Sequence, residues 1–259
     1  VANANYLVIT AAYNAERWIA RCLTSLADQH VDFRCVVCDD CSEDETYRIA
    51  QATVGDDARF TLERTDQRCG MLQNIDEAIR RHVRDPNEVI VILDGDDWLK
   101  HERVFDTLEQ HYRDSATWMT YGSYERWDGT WQNRLGFGIK RGHARRYPDY
   151  IADNNFYRYY TFLATHLRTF RAFLWQRLEA ADLRDDAGNY FQSASDVAAM
   201  IPMLEMSGPA HAVYIREILL VYNNENPLGI RNSGRRLTQK ISEMTVRSRA
   251  RYWPIGRSE

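Results

Sequence analysis

Residues 89–93 read Val-Ile-Val-Ile-Leu, and the chain passes at once into Asp94, Gly95, Asp96 and Asp97. Four of those five apolar residues are β-branched, the composition of a buried strand. Such a strand cannot turn three neighbouring carboxylates inward without a counter-charge, so the acids belong at its exit, facing solvent, a cation or a polyphosphate. In an open α/β sheet, ligands bind beyond the carboxyl ends of the strands, which makes this exit the expected site of chemistry. Oxygen ligands clustered on a rigid strand end suit a hard or borderline divalent ion, Mn²⁺ or Mg²⁺, which can in turn neutralise a diphosphate. Taken alone, Asp-Gly-Asp serves equally well as an ordinary turn.

The preceding sequence repeats the same device. Residues 6–10 form a short apolar strand, followed by Ala11, Ala12, Tyr13 and Asn14 and then by Ile19, Cys22, Leu23 and Leu26 at helical spacing. Residues 33–38 form a second strand that empties into Asp39 and Asp40, and Ser42 with Glu45 fits a capping box for a helix over 45–52. A third strand is expected at 60–63, then a loop with Arg68 and Gly70, a helix over 71–83, the anchor strand, a helix over 102–112 and a strand at 117–121. Strands and helices alternating at this length predict an α/β domain with a mainly parallel central sheet and helices on both faces.

The later sequence is less regular. Beyond Ser123 the chain reads as loop-rich, with Trp127 and Trp131 among glycines and a basic run of Arg134, Lys140, Arg141, His143, Arg145 and Arg146. That run suits an anionic acceptor or lipid headgroups, and equally a solvated loop. Helical spacing is expected across 150–178 and a turn at 185–188. Asp196 falls at the start of an apolar helix, where it serves as a cap or, beside a cleft, as a base. Residues 212–215 and 218–222 read as strands that form a terminal hairpin or extend the sheet. A polar loop with Arg231, Arg235 and Arg236, able to close on phosphate, precedes a helix over 237–251.

Composition sets limits. The 259 residues are 44% hydrophobic and 27% charged, with a formal net charge of −4, which suits a folded α/β protein and gives no general attraction to nucleic acid. No apolar run reaches the roughly 18–20 residues that span a bilayer, and no signal peptide is visible. The cytoplasm, or the cytosolic face of a membrane, is the expected location, although the chain begins at Val1 and anchoring segments outside it stay open. Of five cysteines, Cys35 and Cys38 lie an odd number apart on one strand and point to opposite faces, which argues against zinc and for reduced, buried thiols.

Four motifs in order resemble the inverting family 2 glycosyltransferases of the GT-A, nucleotide-diphospho-sugar transferase fold. Residues 8–14 with Ser25 and Gln29 resemble the family's opening strand and helix. Asp39, Asp40, Ser42, Asp44 and Thr46 match its Asp-Asp-x-Ser-x-Asp-x-Thr signature, Gly70 and Asn74 match the helix after the third strand, and Asp94, Gly95, Asp96 and Asp97 match its metal motif. The family's acidic pair for the catalytic base is reduced here to Ser195-Asp196, so only Asp196 is carried over.

The resemblance implies a GT-A domain over 1–222, with a donor-binding half at about 1–123, an acceptor and catalytic half at about 124–222, and a flexible loop and helix at 223–259. It implies a metal-dependent, inverting transfer from a nucleotide sugar, UDP-linked in the commonest case, to a glycan or lipid-linked acceptor, with peripheral membrane association compatible. By the same resemblance Ala11, Ala12, Tyr13, Asn14, Asp39, Asp40, Arg68, Asp94 and Gly95 bind the donor nucleotide, Asp96 and Asp94 hold the cation, and Asp196 is the base. Asp97, Trp98, Arg231 and Arg235 are further candidates for phosphate or acceptor contact, with Trp98 equally suited to packing.

Three rivals compete. A sugar nucleotidyltransferase would carry a Gly- and Lys/Arg-rich phosphate loop after the first strand, where Ala11, Ala12, Tyr13 and Asn14 stand. A dinucleotide-dependent dehydrogenase would carry G-x-G-x-x-G there. A non-catalytic nucleotide- or carbohydrate-binding domain would keep the fold without needing Asp96 and Asp196.

Overall fold

The computed structural model describes residues 4–129, 141–228 and 236–256. Strands β1 (Tyr6–Ala12), β2 (Phe33–Asp39), β3 (Phe60–Arg64) and β4 (Val89–Ile92) alternate with helices α1 (Ile19–Ala27), α2 (Thr46–Val54) and α3 (Met71–His82). The two-residue β5 (Trp98–Leu99), α4 (Val104–Tyr112), β6 (Met119–Gly122) and β7 (Tyr124–Trp127) follow. The chain continues through α5 (Asp149–Asp153), β8 (Thr165–Arg171), α6 (Ala172–Gln176), α7 (Ser195–His211), β9 (Ala212–Tyr214), β10 (Leu220–Asn223) and α8 (Arg236–Ser248).

The large sheet runs β3-β2-β1-β4-β8-β6-β9. Pairings among β1 to β4 and between β6 and β9 are parallel, and β8 is antiparallel to both its neighbours. Successive side chains along each strand enter opposite cores, because a strand presents alternate residues to alternate faces. Leu7, Ile9, Ile90 and Ile92 pack with Leu72, Ile75 and Ile79 of α3 and with α7. Tyr6, Val8, Val89 and Val91 pack with Leu23 and Leu26 of α1 and with Val104, Phe105 and Leu108 of α4. Each fully buried aliphatic side chain contributes roughly 1.5–3 kcal/mol, and with no hydrogen-bonded side-chain cap on α1 or α3 this burial carries the helices.

Cys35 and Cys38 do sit in opposite cores, and all five thiols are free. Elsewhere the structure departs from expectation. The helical span expected over 150–178 contains β8 in the middle of the sheet. Leu167 and Phe170 are buried on opposite faces, and the intervening Thr169 is satisfied by distant partners, its Oγ1 meeting Tyr112 Oη at 2.7 Å and Thr120 Oγ1 at 2.6 Å. The loop expected after Ser123 starts with β7, which joins β5 and β10 in a second, three-stranded sheet. Residues 212–215 and 218–222 do not form a hairpin. β9 extends the large sheet beside β6, whereas β10 pairs with β5 and β7.

The capping box expected from Ser42 and Glu45 is also absent: α2 begins at Thr46, and Ser42 Oγ instead accepts from the Asn14 backbone N–H at 3.0 Å. At the other end of the chain a buried ion pair binds the C-terminal segment to the body. Arg158 and Glu205, at 1% and 0% side-chain exposure, are 2.8 Å apart. Arg158 also donates to the Val246 carbonyl, and the Tyr252 N–H donates to Glu205.

Candidate active site

β1 and β4 run side by side with Ile9 opposite Ile92, so the two strands open into the same wall. The Gly95 N–H donates to the Ala11 carbonyl at 3.0 Å. A Cβ on Gly95 would lie 2.7 Å from Ala12 Cβ, so this close approach of two backbones requires glycine. The result is a cleft of about 240 Å³ lined by Ala11, Ala12, Tyr13, Asp40, Arg68, Gly70, Asp94, Gly95 and Asp96, and also by Ser193, Tyr222 and Asn226.

At one end of the cleft the Arg68 guanidinium lies 3.9 Å from the centre of the Tyr13 ring and 3.8 Å from Asp40. Asp40 also accepts from the backbone N–H groups of Cys69 and Gly70 at 2.8 and 3.0 Å. Its carboxylate therefore clasps the loop between β3 and α3 against the end of β2. Asp39 and Asn14 do not line the cleft. Asp39 is buried beneath it, 3.2 Å from Arg64 Nε and from the Ser42 N–H. Asn14 has a left-handed backbone, φ 48°, and its side chain accepts from the Glu43 N–H. Both tie the exit of β1 to the loop after β2.

The three acids after β4 have different surroundings. Asp94 accepts from Arg168 Nη2 at 3.0 and 3.2 Å. Asp96 accepts from the Asn226 side chain at 2.7 Å, and burial pushes its pKa up to about 6 against that hydrogen bond. Asp97 does not face the cleft as expected of all three acids. It is 1% exposed, accepts from the Asn223 N–H at 2.8 Å, and is held well above the usual carboxylate range by burial and by Asp96 and Asp94. Its Oδ2 has no partner among the described residues. One ligand atom each from Asp94, Asp97 and His166 come within 4.8 Å of one another. Burial and the neighbouring Arg168 push the His166 pKa down to about 3, which keeps its imidazole neutral. Two carboxylates and a neutral imidazole are a donor set that Mn²⁺ accepts.

Asp196 stands in the first turn of α7, its Oδ1 accepting from the Val197 N–H at 2.9 Å. It lines an adjoining cavity of about 20 Å³ rather than the main cleft, together with Arg168, Met71 and Ser195. Met71 and Ser195 line both spaces. Burial raises the Asp196 pKa, and Arg168 opposes the rise. Trp98 is turned elsewhere: it is 4% exposed, with the Arg21 guanidinium 3.9 Å from its ring and Trp127 packed edge-on. It packs the second sheet. Arg231 and Arg235, with Trp131, Arg134 and Lys140 of the basic run, lie outside the described residues.

Arg168, His166 and Asn226 are the site residues that the sequence reading passed over. The first two sit on β8, within the span 150–178 where helical spacing is expected. Their signal was the run Thr-His-Leu-Arg-Thr-Phe-Arg, whose two Thr and one Phe favour a strand.

A family model described as glycosyl transferase family 2 matches residues 7–178. A search of curated protein sequences finds no match. Among solved structures, S. aureus TarS 1-349 in complex with UDP-GlcNAc aligns with a TM-score of 0.61 at 17% identity, covering 85% of this chain and 58% of that one. The mannosyltransferase PcManGT from Pyrobaculum calidifontis, in complex with GDP-Man and Mn²⁺, aligns with a TM-score of 0.64 at 15% identity, covering 98% of this chain and 68% of that one. The chain thus spans under two thirds of the TarS length. At these identities the likeness establishes the GT-A fold.

Proposed function

This chain belongs to glycosyl transferase family 2, and we propose that it transfers a sugar from a nucleotide-diphosphate sugar to a hydroxyl of a glycan or lipid-linked acceptor, with a divalent cation and with inversion at the anomeric carbon. The observation that carries this reading is the convergence of Tyr13, Asp40, Arg68, Asp94 and Asp96, from the exits of the four strands β1 to β4, on one cleft. The complexes of TarS with UDP-GlcNAc and of PcManGT with GDP-Man and Mn²⁺ support a nucleotide-sugar donor, and the former favours a UDP-sugar.

In this reading Tyr13 and Arg68 offer flat faces to a nucleobase, and Asp40 holds the loop that carries Arg68. Asp94 and Asp96 would hold the cation, and Asp97 and His166 stand close enough to Asp94 to complete its surroundings. A bound Mn²⁺ or Mg²⁺ supplies positive charge that stabilises the departing nucleoside diphosphate. Arg168 holds Asp94 in place. During transfer the bond from the anomeric carbon to the diphosphate oxygen breaks as the acceptor oxygen bonds to the same carbon from the opposite side. Asp196 takes the proton of the acceptor hydroxyl, a contribution of about 10²- to 10⁴-fold. Its raised pKa makes it a stronger base than an ordinary aspartate.

The position of Asp196 in a small adjoining cavity favours a second reading, a non-catalytic nucleotide-binding domain. Nucleoside diphosphate release from UDP-, GDP- and dTDP-sugars, with Mn²⁺, Mg²⁺ or EDTA and mixed glycan acceptors, separates the two. Metal-dependent release from one donor, lost in Asp96→Ala and in Asp196→Asn while the latter still binds nucleotide, supports the transferase. Nucleotide binding without release from any donor supports the binding domain.

A further inference from the structure

Among the described residues, the large apolar side chains left exposed are concentrated in one part of the chain. All but Leu228 lie on α5, the turn at 156–159, α8 and the tail that follows it. On α8, Leu237, Ile241 and Met244 are 70%, 57% and 62% exposed. Their spacing of four and then three places them on one helix face. The opposite side of α8 is anchored. Val246 is buried, Arg247 Nη1 donates to the carbonyls of Arg158 and Tyr160 at 2.7 and 2.8 Å, and Ser242 Oγ meets Ser193 Oγ at 3.2 Å. The helix is thus fixed to the body with an aliphatic stripe turned outward.

Charge indicates what that stripe meets. Arg236 and Lys240 are exposed on the same helix, and its one acid, Glu243, is engaged by Arg247 at 2.6 Å. Just past the helix, the Arg251 guanidinium lies 5.8, 5.9 and 5.6 Å from the ring centres of Phe156, Tyr159 and Trp253. Aliphatic residues flanked by cations, with Tyr and Trp beside them, are the side chains that settle at the boundary between phospholipid headgroups and acyl chains. Two copies of α8 meeting through this face would bring their cations together with no free acid on the helix to answer them. No helix among the described residues is long and apolar enough to cross a membrane, and the stripe on α8 has the form of an interfacial face.

We propose that the outer face of α8 and the adjoining aromatic cluster dock the protein on an anionic phospholipid bilayer. Because Ser193 both lines the cleft and touches α8, docking holds the cleft wall close to the membrane surface. The inference is independent of the donor and of catalysis.

Cosedimentation with vesicles of phosphatidylcholine alone, or mixed with phosphatidylglycerol, tests it. The parent chain is expected to bind the mixed vesicles, to bind phosphatidylcholine poorly, and to be released by salt. The triple variant Leu237→Ser, Ile241→Ser, Met244→Ser should lose about tenfold in partitioning, and the pair Arg236→Gln, Lys240→Gln should lose about as much on the mixed vesicles alone. These side chains are exposed, so both variants should keep the parent's melting temperature. Nucleotide binding, measured in parallel without vesicles, should not change. Absence of binding to the mixed vesicles overturns the proposal. So does a parent dimer in light scattering that the triple variant makes monomeric, which would assign the face to a second copy of the chain.

Discussion

Arg168 Nη2 lies 3.0 Å from Asp94 Oδ1, so the antiparallel strand β8 returns a buried cation to the acidic exit of β4. Arg168 is 5% exposed, its Nε has no partner among the described residues, and its charge also opposes the rise in the Asp196 pKa.

Removing this cation should expose its role. Arg168→Gln is expected to lower stability in urea by about 2–4 kcal/mol, because it leaves the partner carboxylate uncompensated. If Asp94 holds the cation, saturating Mn²⁺ should recover part of the deficit by replacing the missing positive charge. A urea midpoint deficit that Mn²⁺ leaves unchanged would exclude Asp94 from the metal site.

Asp96, with its pKa near 6, gives a pH dependence of definite sign. The folded-state value lies above the unfolded one, so this group costs stability fully above pH 6, and the cost fades as pH falls from there toward the unfolded value of 3.8. A cation competes with the same proton. Mn²⁺ affinity, followed by electron paramagnetic resonance of the free ion, should fall by about tenfold per pH unit below pH 6. Asp96→Asn should abolish that dependence and raise the metal-free protein's stability at pH 8 by about 2 kcal/mol.

Gly95→Ala should damage the site without touching a ligand. The new Cβ would meet Ala12 Cβ at 2.7 Å and the Ala11 carbonyl oxygen at 3.1 Å, contacts with β1 that no side-chain rotation relieves. Pushing the acid loop away from β1 is expected to cost about 1–3 kcal/mol and to weaken both nucleotide and Mn²⁺ binding, which titration calorimetry reads directly. Unchanged affinities would show that the strand exits can separate without consequence.

The Arg158–Glu205 pair predicts a non-additive result. Arg158→Met strands a carboxylate that is 0% exposed and should cost about 3–5 kcal/mol in chemical denaturation. The double variant Arg158→Met, Glu205→Leu should recover most of that loss, because two apolar side chains replace a pair whose desolvation cost offsets its attraction. A double variant as unstable as the single one would mean that the links to Val246 and Tyr252 dominate.

The first half of this fold was legible because its information is local. Along β1, β2 and β4 the apolar runs are short and end abruptly in Ala-Ala-Tyr, Asp-Asp and Asp-Gly-Asp. The helices between them carry single apolar faces such as Ile19, Cys22, Leu23 and Leu26. Hydrophobic periodicity and the rule that ligands bind at parallel strand ends pointed to the acidic exit of β4, and the resemblance to a known family added Tyr13 to the same wall.

Tertiary structure decided the rest. β8 hid from a periodicity reading because its buried polar residues, Arg168 and Thr169, find partners in Asp94, Tyr112 and Thr120, and because Leu167 and Phe170 lie three residues apart, which mimics a helix. Composition and position alone do not separate the three acids after β4, which all follow one strand end. Their environments differ because Arg168, Asn226 and the Asn223 backbone, distant along the chain, each select one of them. Sequence alone therefore determined the α/β alternation and the acidic strand exits, since both depend on neighbours within a few residues. Which carboxylate is paired, which is desolvated and which is hidden depended on the packed fold, because electrostatic environment is set by distance through space.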